Sequence, residues 1–353
     1  MKEGRQVSAT VAVIGAGVIG RTHIRILREL PADEGRLAAI VDPSEAAARL
    51  AVEAGVPHFL DADTMLDAVR PDGVVIATPN ALHVAGARAC IGRGIAVLVE
   101  KPLADDLDDA LALAGEADHA GVPLLVGHYR RHNPLVQAAR TAIQQGRLGR
   151  IATISADSMV MKPDSYFNVA WRREAGGGPV LINLVHDIDA LRYLCGEIDT
   201  VQAVTGHAAR GFAVEDSAAV LLRFRTGALA TLTLSDAVPS PWCWDQTAGE
   251  NPAFVRHPGN AYRICGTEAS LEMPDMALWR YAGRRGWSEP LTREVLDVRR
   301  CDPLVAQMRH FLRVIRREEA PLVSGHDGAA TLAATLAVHR SAKTGEAVRP
   351  YAP

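Results

Sequence analysis

The stretch VAVIGAGVIG, residues 11–20, joins a short apolar run to the pattern Gly-x-Gly-x-x-Gly. The run Val11–Ile14 is typical of a strand that is buried on both faces, as the strands of parallel sheets are. After the glycines, Ile19–Leu30 has the apolar spacing of a helix. A glycine turn in this position, between a buried strand and a helix, predicts a dinucleotide-binding βαβ unit.

Each glycine of this turn has a physical reason in such a unit. Gly15 permits the tight turn, Gly17 lets the backbone approach a pyrophosphate, and Gly20 lets the helix pack closely on the strand. The N–H groups at the helix start, where Val18 and Ile19 lie, attract phosphate charge. We therefore expect these five residues to bind the cofactor; an ordinary tight turn is the alternative.

Asp42 closes the second predicted strand, 22 residues after Gly20. A carboxylate there accepts hydrogen bonds from the adenosine ribose and repels a 2′-phosphate, and Pro43–Ser44 supplies no arginine to bind one. The sequence therefore favours NAD, with NADP less favoured. A second role for Asp42, as an acid near the start of the next helix, is compatible with the first.

Strands and helices alternate through the first third of the chain. The predicted later strands are 37–41, 73–77, 97–99 and 122–126, and the predicted helices are 19–30, 44–54, 83–91 and 106–120. This alternation with short links predicts a Rossmann fold, which is a doubly wound parallel sheet.

Polar residues follow two of these strands. They are Thr78, Pro79 and Asn80 after one strand, and Glu100 and Lys101 after the next. The carboxyl ends of parallel strands line the ligand crevice, so we expect these residues to share the cofactor edge with the glycine turn. His83 opens the following helix, and the sequence leaves open whether it contacts the cofactor or only caps and packs.

The second part of the chain has a different pattern. Its predicted strands are 151–156, 218–224, 228–234 and 262–265, and its last two predicted helices are 305–317 and 327–344. Runs of strands linked by turns predict a large, mostly antiparallel open sheet in a C-terminal α/β domain. We place the division at residues 1–127 and 128–353, and we expect 242–260, rich in Pro, Gly and aromatics, to be a long loop.

GGGPVLINLVHDIDALRYLCG, residues 176–196, predicts a largely buried helix. Its polar interruptions, Asn183, His186 and Asp187, have the spacing i, i+3 and i+4, which puts them on one face. Histidine exchanges protons near neutral pH, so His186 is a candidate acid and base. The alternative is a satisfied histidine of the core.

These motifs together resemble the Gfo/Idh/MocA family, which includes glucose–fructose oxidoreductase and inositol dehydrogenases. The matching motifs are GAGVIG, Asp42, TPNALH (78–83), EKP (100–102) and GGGPVLINLVHDID (176–189). The resemblance implies that Lys101 and His186 are catalytic and that the Lys101–Pro102 bond is cis. It also implies a second domain, 128–353, that binds substrate and makes oligomer contacts through its open sheet, which predicts a homodimer or homotetramer.

The chemistry agrees with a catalytic lysine. Hydride transfer from a secondary alcohol needs a group that takes the hydroxyl proton, and a partly dehydrated lysine beside a cationic ring can do so. Glu100 is expected to orient Lys101. Many family members carry an aspartate where this chain has Ile182, with Asn183 one step later. The acid of the usual trio is therefore missing, or Asp187 replaces it.

Three further residues are candidates for substrate contact. The resemblance implies that Tyr129 approaches the nicotinamide or the substrate, and Trp171 and Arg172 precede the glycine run, where they can close over the site. A packing role is the alternative for each. In 240–252, SPWCWDQTAGENP, the aromatic and polar side chains suit a sugar or a subunit contact equally.

Composition limits the partners. The net charge is −3 with no long run of one sign, which argues against nucleic acid or an anionic membrane as partner. The five cysteines are scattered and residues 1–10 lack a signal-peptide pattern, so we expect a cytoplasmic protein. No metal site is expected.

The sequence thus predicts an NAD-dependent oxidoreductase that oxidises a ring hydroxyl of a cyclic polyol, sugar or sugar derivative to a ketone. The alternatives are an enzyme that cleaves a glycosidic bond by transient oxidation, and a non-enzymatic regulator that binds NAD or sugar.

Overall fold

The computed structural model describes residues 8–251 and 253–350. They form two compact units. The first contains the chain up to Tyr129 together with Pro303–Leu332, and the second contains Arg130–Asp302 together with the chain from Ala333. The predicted absence of a signal peptide rests largely on residues 1–7, which lie outside the described residues.

The helices are α1 (Val18–Glu29), α2 (Glu45–Ala54), α3 (Ala62–Val69), α4 (His83–Ile91), α5 (Leu107–Ala120), α6 (Pro134–Gln144), α7 (Val185–Cys195), α8 (Trp244–Ala248), α9 (Pro303–Ile315) and α10 (Gly325–Thr344). The strands are β1 (Ala9–Ile14), β2 (Gly35–Val41), β3 (His58–Phe59), β4 (Gly73–Ile76), β5 (Ala96–Val99), β6 (Leu124–Val126), β7 (Ile151–Met159), β8 (Ile198–Gly206), β9 (Ser217–Phe224), β10 (Leu229–Ser235), β11 (Tyr262–Gly266), β12 (Ser270–Met273), β13 (Ala277–Tyr281) and β14 (Leu291–Val295).

The first unit contains a six-stranded sheet in the order β3-β2-β1-β4-β5-β6. All its pairings are parallel. The predicted doubly wound Rossmann sheet is confirmed. The strand order reverses between β1 and β4, and this reversal is where such folds open a crevice for a ligand.

The segment Pro303–Leu332 returns to the first unit, whereas the predicted division at 127/128 was contiguous. The glycines Gly35 and Gly73 receive side chains of α9. A Cβ at Gly35 would lie 2.6 Å from Leu312 Cδ2, and one at Gly73 would lie 2.4 Å from Ile315 Cδ1. This packing ties α9 to the Rossmann sheet, and nothing in the apolar pattern of α9 distinguishes one sheet from another.

The second unit contains an eight-stranded sheet in the order β14-β13-β12-β11-β7-β10-β9-β8. Within the described strands of this sheet, β7 and β10 are the only parallel pair, so the prediction of a mostly antiparallel sheet is confirmed. Residues of β9 alternate between buried and exposed, which leaves one face of the sheet on the core and the other outward. Arg225–Ala228 connects β9 to β10, as expected, with Gly227 at φ 89°.

Among the described residues, no helix combines the length and apolar character that a bilayer crossing requires.

Candidate active site

The glycine turn follows β1 at the carboxyl edge of the first sheet. Gly15 has φ 94°, and its N–H donates to the carbonyl oxygen of Val41 at 2.8 Å. A Cβ at this residue would lie 2.5 Å from the carbonyl oxygen of Ala77. Only glycine therefore fits the turn.

The other two glycines of the turn have different surroundings. A Cβ at Gly20 would lie 1.9 Å from the carbonyl oxygen of Gly15, so this glycine permits close packing of α1. A Cβ at Gly17 would meet no atom of the described chain within 4 Å. Gly17 is the N-cap of α1, and no described side chain caps that helix. An open, uncapped helix start with Val18 91% exposed fits a pyrophosphate.

Asp42 follows β2 beside this turn. Its Oδ2 accepts a hydrogen bond from Ala16 N at 2.8 Å, and its Oδ1 accepts one from Ser44 N at 2.9 Å. Burial alone would raise the pKa of Asp42, but the hydrogen bonds from Ser44 and Ala16 hold it below its usual value. The residue is therefore a fixed carboxylate at neutral pH, as the ribose contact requires and a 2′-phosphate disfavours.

The turn that follows β4 contains both exposed and buried residues. Pro79 and Asn80 are exposed, and Thr78 is half-buried. His83 is 1% exposed, with Nδ1 2.8 Å from the carbonyl oxygen of Pro102 and Nε2 3.0 Å from that of Thr78. Both ring nitrogens of His83 are thus occupied by backbone carbonyls, which favours the packing role over a direct cofactor contact.

Glu100 follows β5 and is buried. Its Oε1 lies 2.7 Å from His23 Nε2, and its Oε2 accepts a hydrogen bond from the backbone N–H of Lys101 at 3.3 Å. Burial raises the pKa of Glu100, but the hydrogen bond and charge of His23, followed by the charges of Lys101 and His83, bring it below its usual value. The carboxylate therefore supports the turn through His23 and the backbone. The Lys101–Pro102 bond is cis.

His23 is the partner that the sequence did not reveal. It lies on the inner face of α1 and is fully buried there. Its distance of 77 residues from Glu100 explains why no local pattern indicated the pair.

The helix predicted within residues 176–196 begins differently from expectation. Val180–Leu184 is a π-helical segment, and α7 starts only at Val185. Asn183 and His186 are half-buried, whereas Asp187 is 1% exposed. A π segment adds a residue to the turn, so the spacing from Asn183 to the two α7 residues is not purely α-helical, and the three side chains also differ in burial.

Glu215 supports the start of this segment. Its Oε1 accepts the N–H of Val180 at 3.1 Å and lies 3.3 Å from His339 Nε2. Burial raises the pKa of Glu215, but the bond and charge of His339 and the backbone N–H groups lower it below its usual value. A Cβ at Gly178 would lie 2.2 Å from the same carboxylate oxygen, so this glycine makes room for the carboxylate.

Asp187 belongs to a buried network rather than to an open face. Its Oδ1 accepts a hydrogen bond from Arg130 Nη1 at 2.6 Å and a short one from the hydroxyl of Tyr262. Arg130 Nη2 also donates to Asp245 Oδ2 at 3.2 Å. Burial and the charge of Asp187 raise the pKa of Tyr262 well above its usual value, which keeps its hydroxyl a donor. Substrate contact by Asp187 stays a prediction that this burial disfavours.

The remaining candidates lie nearer the surface. Tyr129 is half-buried, and Trp171 is 49% exposed. Arg172 donates from Nη1 to the carbonyl oxygen of Tyr166 at 2.8 Å, with its guanidinium 4.0 Å from that ring. These contacts hold Arg172 locally and leave its role toward a substrate as a prediction.

The segment 242–260, expected to be a loop, contains α8. Trp244 of this helix is buried and stacks on Tyr262 with ring centres 5.2 Å apart, and Asp245 pairs with Arg130. The contacts of both residues are therefore with the interior of the second unit, which disfavours contact with a sugar. Trp242, in contrast, is exposed. Pro252 lies outside the described residues. Within the described chain, no group of three or more His, Cys, Asp or Glu could hold a metal ion.

Comparison with known proteins decides the family. Residues 9–128 match the model of an oxidoreductase family with an NAD-binding Rossmann fold, and residues 136–272 match the Gfo/Idh/MocA C-terminal domain. The chain belongs to the Gfo/Idh/MocA oxidoreductase family. It is an oxidoreductase, NAD is its cofactor, and the glycine turn and Asp42 fit that cofactor.

Three relatives illustrate the similarity. The 1,5-anhydro-D-fructose reductase of Ensifer adhaerens is 29% identical over 95% of this chain and 96% of that protein. The inositol 2-dehydrogenase of Streptomyces avermitilis is 32% identical over 64% of this chain and 65% of that protein. A WlbA dehydrogenase from Chromobacterium violaceum, solved with NADH and UDP-GlcNAcA, is 25% identical with a TM-score of 0.78, covering 97% of this chain and 96% of that one.

Proposed function

We propose that this family member oxidises a ring secondary hydroxyl of a cyclic polyol, sugar or sugar derivative to a ketone, with Lys101 and His186 as its acid–base pair. One observation carries the proposal. Lys101 follows β5 at the same edge of the first sheet where the open Gly17 and the fixed carboxylate of Asp42 lie. A proton-accepting group at the cofactor edge is what alcohol oxidation requires.

Gly15, Gly17, Gly20 and Asp42 would hold the cofactor. When bound, NAD supplies the hydride acceptor. Lys101 then hydrogen-bonds the reacting hydroxyl, takes its proton and, when charged, stabilises the developing alkoxide. His186, half-buried at the start of α7, is the proposed second acid–base group, because histidine side chains exchange protons near neutral pH.

The names of the relatives support a ring substrate. One acts on 1,5-anhydro-D-fructose and another on inositol, and both are cyclic polyhydroxy compounds. Tyr129, Trp171, Arg172 and Asn183 are the proposed substrate contacts, because they are half-buried or exposed while Asp187 is not. We keep the cytoplasmic location as a prediction.

The test is a screen for NADH formation with inositols, pyranoses and sugar acids, run with NAD and NADP side by side. At least one cyclic polyol should produce NADH in the wild type, and Lys101→Ala should abolish turnover while NAD still binds. Lys343→Ala is the matched control, because that lysine is exposed in the last turn of α10. Full activity of Lys101→Ala would remove Lys101 from the mechanism.

The same screen separates the alternatives. Bond cleavage without accumulated NADH would favour a glycoside-cleaving enzyme. Ligand binding with no turnover of any polyol would favour a regulator.

We also propose that copies of the chain associate through the outward face of the second sheet as a homodimer or homotetramer. Val204, Leu221 and Leu229 are exposed on β8, β9 and β10. They stand in diagonal positions on neighbouring strands, and exposed apolar side chains grouped on an open sheet are typical of an interface. Light scattering should give a multiple of 37.7 kDa for the wild type and a smaller particle for Leu221→Glu. A monomeric wild type would contradict this proposal.

A further inference from the structure

We propose that His83 is a positioning residue that ties the Lys101–Pro102 turn to the turn at Thr78 and thereby sets where Lys101 lies. The inference rests on the proposed function of Lys101. The sequence left open whether His83 contacts the cofactor or packs, and the inference gives the packing role a function.

The geometry of the ring supports this role. His83 Nδ1 lies 2.8 Å from the carbonyl oxygen of Pro102, and Nε2 lies 3.0 Å from that of Thr78. Thr78 follows β4 and Pro102 follows β5, and these strands are neighbours in the sheet. The imidazole therefore joins two adjacent loops of the cofactor edge, and one of its two partners is the residue directly after Lys101.

The helix behind the ring holds it in place. His83 is the first residue of α4, and its side chain is 1% exposed. Ala87 and Cys90 of the same helix are fully buried. Because the helix is fixed in the core, a bond from its first side chain to Pro102 transfers that rigidity to the turn.

The chemistry of the two partners requires nitrogen donors. Both partners are carbonyl oxygens, which only accept hydrogen bonds. A neutral imidazole has one N–H group and can donate to one of them, whereas an imidazolium can donate to both. The buried carboxylate of Glu100 lies at the same turn, where its Oε2 accepts a hydrogen bond from the backbone N–H of Lys101 at 3.3 Å. Asp105 and Asp106, which follow the turn, are exposed.

The experiment compares His83→Ala, His83→Gln and, as matched control, His326→Gln, since His326 is exposed. A catalytic group displaced by about 1 Å costs roughly a hundredfold in rate, so His83→Ala should lower kcat by about that factor. The Kd for NAD should change less than about threefold, because the glycine turn is untouched. His83→Gln should recover roughly tenfold of the loss, because its amide N–H groups can donate to the same carbonyls. The control should match the wild type.

Two results would overturn the inference. One is an unchanged kcat in His83→Gln and His83→Ala. The other is a loss of NAD affinity as large as the loss of kcat, which would make His83 a cofactor ligand. Lys101→Ala is measured in the same series to separate the two proposals. If Lys101→Ala stays active, the proposed function fails; if it is inactive and His83→Ala is fully active, only the role of His83 fails.

Discussion

The cofactor edge of the first unit and the segment Val180–Cys195 of the second unit hold their polar groups by different means. At the edge, the glycine turn is formed by backbone contacts, and Asp42 is fixed by the N–H groups of Ala16 and Ser44. In the second unit, Asp187 is fixed by side chains that lie 57 and 75 residues away in the sequence. Backbone contacts tolerate loss of a side chain, and a buried ion pair does not.

A substitution in the buried network of the second unit should cause the greatest loss of unfolding free energy. Arg130→Met removes the cation that Asp187 and Asp245 share, and uncompensated buried carboxylates cost about 3–5 kcal/mol of unfolding free energy. Denaturant unfolding measures it. The exposed pair Arg25–Glu29 provides the control, since Arg25→Met should cost less than about 1 kcal/mol. A loss in Arg130→Met as small as in the control would show that the buried network stabilises the second unit no more than an exposed ion pair does.

A substitution in the glycine turn of the first unit should lower NAD affinity. Gly17→Ala places its Cβ in open space, so the free energy of unfolding should stay close to that of the wild type. The methyl group then occupies the path of the pyrophosphate, and NAD affinity should fall about a hundredfold, which is about 2.7 kcal/mol. Fluorescence titration with NADH measures the affinity.

Gly20→Ala is the contrasting variant for this prediction. Its Cβ would lie 1.9 Å from the carbonyl oxygen of Gly15, so it should lose stability as well as affinity. If Gly17→Ala were the less stable of the two, the assignment of roles within the turn would be wrong.

Glu250 should make the stability of the second unit depend on pH. Burial raises its pKa to about 7, against the hydrogen bond from Trp244 and the charge of Arg130. Because the folded pKa lies above the unfolded value, the unfolded chain releases the proton first, and stability falls as pH rises from about 4.5 to about 7. The loss should be on the order of 3 kcal/mol and level off above this range.

Glu250→Gln removes that titration, so its thermal stability should lack this slope between the two pH values. Glu45→Gln is the control, because Glu45 is almost fully exposed and should keep the slope of the wild type. A wild type whose stability rises with pH through this window would contradict the expected sign.

The smallest effect concerns cofactor choice. Asp42→Asn keeps the shape of the side chain and removes the charge that repels a 2′-phosphate. The preference for NAD over NADP, measured as the ratio of kcat/KM values, should fall by about tenfold, which is about 1.4 kcal/mol. Asp61→Asn is the control, since Asp61 caps α3 through Thr64 and should leave that ratio unchanged. An unchanged ratio in Asp42→Asn would mean that other groups select the cofactor.

The same difference explains what the sequence could predict. The glycine turn and the tips at Thr78 and Lys101 were recognisable because each follows its strand directly. The short strand β3, the edge strand β14 and its neighbour β13 carry weak apolar patterns and were missed. The partners His23 and Tyr262 depend on tertiary proximity, which a local pattern does not contain.

The π-helical segment Val180–Leu184 makes the proposed site sensitive to the deletion of a single residue. Loss of one residue within it would let the segment revert to ordinary α-helical winding. Each residue of an α-helix turns the next by about 100°, so such a deletion would re-aim Asn183 relative to the fixed helix that follows. A deletion of one residue here would therefore change the direction of Asn183, one of the proposed substrate contacts, without altering the residues that fix Asp187.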